Sequence, residues 1–163
     1  MRKILISLLL IIISVGAFSQ SVTVPRLIDM LDWSPTQVDT TLKKNGYLLM
    51  KKDVDSTSSL YEYSWFDKDV DGREVVRALV LMDARVRNMQ SRLITYRTYN
   101  RDEYGQMASW LLANNFHSTA KYDFKEAQHT VYSNGKLNIT VKVITTRLKN
   151  GKKFTAYELE LGK

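Results

Sequence analysis

No cysteine occurs in this sequence, and histidine is almost missing: His117 and His129 are the only two among 163 residues. Without cysteine there is no disulfide, no thiol nucleophile, no thiolate metal site and no cysteine for lipid attachment. Stability must then come from burial, hydrogen bonds or a bound ion. The two histidines lie twelve residues apart, on what read as adjoining strands of one hairpin, and a suitable register would bring them together. Two imidazoles without a third ligand make a poor zinc site, no His-Glu-x-x-His arrangement adds one, and both read as ordinary strand histidines. The chain also lacks a Gly-x-Ser-x-Gly elbow and a glycine-rich phosphate loop, so enzyme chemistry finds no anchor in it.

What is present begins with an export pattern. Met1, Arg2 and Lys3 form a short positive segment, Ile4 to Val15 an apolar run, and Gly16 to Ser19 a small-residue exit, the three-part order of a secretory signal. Cleavage after Ala17-x-Ser19 releases a chain beginning at Gln20. The run is short for a bilayer span, which takes about 20 residues, and no later segment is long and apolar enough. The expectation is an exported protein, periplasmic or secreted and not lipid-anchored. No nucleic-acid partner is expected for such a chain.

Without residues 1–19 the net charge is +5, and the excess sits in the second half: residues 100–163 carry 10 basic and 6 acidic groups, against 12 and 11 in residues 20–99. That imbalance favours an anionic partner, such as lipid headgroups or an acidic protein surface. Lysines that simply solvate strands and turns explain it equally simply.

Local grammar repeats along the chain. Ser34-Pro35-Thr36-Gln37 combines an N-cap, a proline in the first turn and a glutamine three residues on, which predicts a helix ending at Asn45-Gly46. A shorter helix is expected over Pro25–Leu31. Asn100 caps a further helix with Asp102 and Glu103 in its first turn, an apolar stripe of Tyr104, Met107, Ala108, Leu111 and Leu112, and a stop at Asn114-Asn115. At an offset of 69 residues, Val38, Leu42, Asn45, Gly46 and Tyr47 fall on Met107, Leu111, Asn114, Asn115 and Phe116, and Tyr63-Ser64 falls on Tyr132-Ser133. Recurrence in this order predicts an internal duplication.

Each helix is followed by strands. Leu137, Ile139, Val141 and Val143 alternate with polar residues, and Asn134-Gly135 and Asn150-Gly151 flank them as hairpin turns. Phe116–Asp123 precedes and Phe154–Leu161 follows. In the first half the expected strands are Tyr47–Lys52, Leu60–Phe66, Val75–Met82 and Gln90–Tyr99. The nearly unbroken apolar run from Val75 to Met82 predicts a strand covered on both faces. The fold class is therefore α+β: two tandem helix-plus-antiparallel-meander units of about four strands each, residues 20–99 and 100–163, forming one compact body behind a signal at 1–19.

Three clusters are candidate sites. Asp67, Asp69 and Asp71, followed by Gly72, resemble the front half of a calcium loop, but the twelfth position is Ala78 where a bidentate glutamate belongs. A solvated turn or a weak calcium site assisted by Glu74, Asp53 or Asp55 are the two readings. Tyr61, Tyr63 and Trp65 share one face of a strand, with Leu60, Glu62, Ser64 and Phe66 on the other. They form either an exposed aromatic contact platform or part of the core. Arg73, Arg77, Arg85, Arg87, Arg92, Arg97 and Arg101 crowd the middle of the chain, either as strand solvation or as a recognition surface that includes Arg77 and Arg97.

The order of elements, with the helix exits Asn45-Gly46-Tyr47 and Asn114-Asn115-Phe116, resembles the β-lactamase inhibitor protein fold. It is similar in outline to small outer-membrane assembly lipoproteins. The first resemblance implies sheets set side by side to form a binding surface. The functional expectation is a non-catalytic, inhibitor-like binding module that contacts a protein or envelope component through its sheet faces. The alternatives are a small envelope hydrolase and a calcium-stabilised structural module.

Overall fold

The computed structural model describes residues 22–66, 75–86, 89–147, 151 and 153–163. The expected export signal and the segment with Asp67, Asp69 and Asp71 lie outside the described residues.

The helices start where side chains can satisfy the free amides of a first turn. Pro25 sits at the start of α1 (Val24–Met30). Ser34 and Gln37 form a reciprocal capping box at the start of α2 (Pro35–Lys44), with bonds of 2.8 and 3.3 Å. The Asn100 Oδ1 accepts from the amides of Asp102 and Glu103 at 2.9 and 3.1 Å, opening α3 (Arg101–Ala113). The two longer helices also stop alike. The Tyr47 amide donates to the Leu42 carbonyl at 3.0 Å, and the Phe116 amide to the Leu111 carbonyl at 3.1 Å. The intervening residues, Gly46 at φ +83° and Asn115 at φ +63°, occupy the left-handed region that such endings need.

The described residues form eight strands: β1 (Leu48–Val54), β2 (Ser58–Phe66), β3 (Val75–Val86), β4 (Met89–Thr98), β5 (His117–Phe124), β6 (Ala127–Ser133), β7 (Asn138–Arg147) and β8 (Lys153–Gly162). Two helices precede the first four strands and one helix precedes the last four, and within each set of four the strands pair antiparallel in chain order. The halves share one antiparallel sheet in the order β1-β2-β3-β4-β8-β7-β6-β5. The seam is β4 against β8, running from Leu93·Gly162 to Thr98·Tyr157, with Thr95 opposite Glu160. Each edge strand carries a bulge, between Leu49 and Lys51 in β1 and between Ser118 and Ala120 in β5. These bulges are 69 residues apart, the spacing at which the helix exits repeat.

Register settles which side chains share a face, because residues directly opposite in an antiparallel pair point the same way. Tyr63, Leu79, Tyr96, Leu159 and Val141 form one row across five strands, and Leu81, Ile94, Leu161 and Ile139 form the next. All nine are at most 4% exposed and join Leu27, Met30, Val38, Leu42, Met107 and Leu111 of the helices in a single core. The three described helices therefore cover the same face. Within the chain the Val75–Met82 strand is covered on one face only: Leu79 and Leu81 are fully buried, while Met82 on the opposite face is 40% exposed. Its apolar run reflects an interior position in the sheet, with neighbours on both sides.

Candidate functional site

Alternation carries the remaining strand side chains to the face away from the helices, and no described element lies over it. Its central row runs Ser64, Ala78, Arg97, Glu158, Lys142, His129 and Tyr122 from β2 to β5. Arg97 donates to Glu158 through Nη2 at 2.7 Å and Nε at 3.1 Å. Lys142 reaches the other Glu158 oxygen at 3.0 Å and Glu160 at 2.7 Å. Burial alone would raise the Glu158 pKa, but the bonds from Arg97 and Lys142 outweigh it and hold the carboxyl below its ordinary value. Beside this ion row, His129 stacks on Tyr122 with ring centres 4.9 Å apart and meets Phe124 edge-on. Tyr122, Phe124 and Phe154 are 40–55% exposed, as are Leu48 and Met82 on the same face.

The candidate residues named from the sequence separate between the two faces. Tyr61, Tyr63 and Trp65 point toward the helices. Tyr63 is 1% exposed and its hydroxyl donates to Asp39 at 3.2 Å, while Tyr61 and Trp65 pack against the core half-buried. The free aromatic platform is therefore corrected: Tyr63 is a core residue, because its register partner is the fully buried Leu79. Arg77 lies on that covered face as well. Its Nε donates to Glu103 at 2.8 Å and its guanidinium sits over the Trp65 ring. Arg97 alone of the five named contact residues faces away from the helices, its side chain 43% exposed.

Sequence reasoning did not single out the buried polar cluster beneath α3. The Glu103 carboxylate, expected only to complement the helix dipole, accepts from Tyr96 at 2.5 Å, Arg77 at 2.8 Å and Thr98 at 2.9 Å. Tyr47 meets Tyr96 at 3.4 Å. Burial pushes the Tyr47 hydroxyl up to about 12 against the opposing bond from Tyr96, and burial with the neighbouring Tyr47 and Glu103 pushes Tyr96 well up too. Next to this cluster is a hollow of about 150 Å³ lined by Val22, Val24, Pro25, Glu103, Met107 and Trp110. Both Glu103 oxygens are engaged by donors from the sheet, so the cluster works as a fastening between α3 and β3–β4.

The other named groups stay apart. His117 pairs with Ser133 and His129 with Tyr122, which places the two positions about 13 Å apart along the hairpin. Asp55, offered as help for a calcium loop, is spent on its own turn: the amides and hydroxyls of Thr57 and Ser58 donate to it at 2.6–2.9 Å. Those bonds hold its carboxyl down to about 2. Among the described residues no three His, Asp or Glu side chains are grouped to hold a metal ion, and no helix is long and apolar enough to cross a membrane. No family model, curated protein or solved structure matches the chain.

Proposed function

We propose that the chain is a non-catalytic exported module that binds a protein or other envelope component through the helix-free face of its sheet. One observation carries this reading: a continuous eight-stranded face with no described element over it, where Leu48 and Met82 are half-exposed and Arg97 stands at the centre. Exposed apolar area of this kind on a rigid scaffold, with an arginine beside it, is the composition of a contact surface. The Arg97–Glu158–Lys142–Glu160 row supplies polar specificity, since its side chains are already held in one geometry before any partner arrives.

Two further parts of the reading belong with it. Residues 1–19 direct export and are removed. The halves 20–99 and 100–163 are copies of one unit, which the common 69-residue spacing of helix exits and edge bulges supports. Their side-by-side sheets are the arrangement that the resemblance to the inhibitor fold implies.

The test is affinity capture from an envelope extract of the source cell with the chain starting at Gln20, compared with Arg97→Glu and Met82→Asp. Met82→Asp is expected to lose the captured component with the melting temperature within a few degrees, and Arg97→Glu to lose it at a lower melting temperature, because Glu158 loses a partner and gains a like charge across the strands. Capture that survives both changes would remove the helix-free face as the contact surface.

A further inference from the structure

The far end of the same face has a chemistry of its own. The β5–β6 and β7–β8 hairpins are neighbours in the sheet, since β6 pairs with β7, and they turn at the same end. Phe124, Ala127, Ile144 and Ala156 form one row, and Phe154 lies two residues beyond Ala156 on the same side of β8. The register puts Phe124 and Phe154 three strands and two residues apart, about 16 Å between backbone positions. Phe124 is 55% exposed and Phe154 43%. A cation accompanies the Phe124 ring, while the Phe154 ring packs on Tyr99 with centres 4.8 Å apart. Lys125 holds its ammonium 5.2 Å from the Phe124 ring centre. Arg147 and Lys153 stand directly opposite each other in the last described pair of the β7–β8 hairpin, both exposed, and alternation puts them on the face opposite to Phe154, so the two faces meet only at the hairpin end.

A like-charged pair directly across two strands opposes the hairpin it sits in, and neither Arg147 nor Lys153 meets a carboxylate among the described residues. From Val143 to Tyr157 the sequence contains no acidic residue at all. The acids nearby are Asp123 and Glu126, on the other hairpin. The complement of this end is therefore an anionic surface with apolar material just beneath it. Exposed phenylalanine rings with lysine and arginine at the same hairpin ends meet those two demands together at the headgroup boundary of a bilayer. An acidic protein would supply the charge without an apolar layer spread over both hairpins.

We infer that the paired β5–β6 and β7–β8 hairpin ends dock on an anionic lipid surface, Phe124 and Phe154 entering the headgroup boundary and Lys125, Arg147 and Lys153 meeting lipid phosphates. This stands beside the sheet-face reading and shares none of its contact residues, so either can fail alone.

The test is cosedimentation with vesicles of phosphatidylglycerol and phosphatidylcholine, or of phosphatidylcholine alone, using the chain that starts at Gln20. That start keeps every described element and removes the apolar run of residues 4–15, which would enter lipid by itself. Binding is expected to the mixed vesicles only, and to weaken as salt rises. Phe124→Ser with Phe154→Ser should lower the partition coefficient on the order of tenfold. Arg147→Glu with Lys153→Glu should lower it by more than about fivefold per position. The charge-reversed chain tests the idea even if the serine variant folds poorly. Equal binding to neutral vesicles, no binding to anionic ones, or hairpin variants that lose only a captured protein would each overturn the inference.

Discussion

Asp83 and Arg92 face each other across β3 and β4 as a two-pronged ion pair, with bonds of 2.5 Å from Nε and 2.7 Å from Nη2. Both belong to the buried set, at 9% and 7% exposure. The remaining guanidinium nitrogen, Nη1, donates to the carbonyls of Met30, Leu31 and Trp33, where α1 ends. One side chain thus fastens the N-terminal helical segment to the sheet.

Removing the acid leaves that cation without a counter-charge. Asp83→Ala should therefore cost about 3–5 kcal/mol, the range for breaking one side of a buried pair. Replacing both residues with apolar ones of similar volume should cost less, offset by the three carbonyls that lose a donor. Urea unfolding of the two variants decides it; a single variant within 1 kcal/mol of the parent would show that solvent reaches the pair.

The acid limb of stability should report on Glu158. Its folded pKa lies below the ordinary carboxylate value, so its contribution is fully present above about pH 4.3. That contribution is lost as pH falls through the folded value, because the unfolded chain then binds the proton more readily. Glu158→Gln should flatten the fall in melting temperature below that point. Thermal melts between pH 3 and 7 would measure it, and an unchanged acid limb would mean other carboxylates dominate.

The β5–β6 turn carries Lys125 and Glu126 at φ +47° and +63°. An L-residue in that region costs roughly 1–2 kcal/mol, a penalty glycine avoids. Glu126→Gly should stabilise the chain by about 1 kcal/mol, raising the midpoint by several degrees in a circular-dichroism melt. A lower midpoint would indicate that the Glu126 side chain contributes more than its backbone costs.

Helix placement was legible because caps act within four residues: Ser34, Asn100, Gly46 and Asn115 do locally what their types allow. Alternation likewise showed that Tyr61, Tyr63 and Trp65 share a face. It did not show which face is covered, since that depends on Leu79 and Leu81 lying alongside. The arginines make the same point. Arg77, Arg92 and Arg97 look alike in sequence, yet Glu103, Asp83 and Glu158 sort them to a fastening, a buried pair and an open face. Two of those three acids are register partners and the third comes from a helix, so long-range pairing decides the outcome. The β5–β6 turn went unread because Lys125-Glu126 is not a turn dipeptide, and the β4–β8 seam has no local signature.

The bulges at Met50 and Thr119 have a bearing on crowded solutions. Each inserts an unpaired residue where a flanking ladder would otherwise run straight, and lysines 51, 52 and 121 stand beside them. A strand arriving from another molecule meets misaligned donors and positive charge at either flank. Growth into fibrils by edge-on addition is thereby discouraged at both margins of the described sheet.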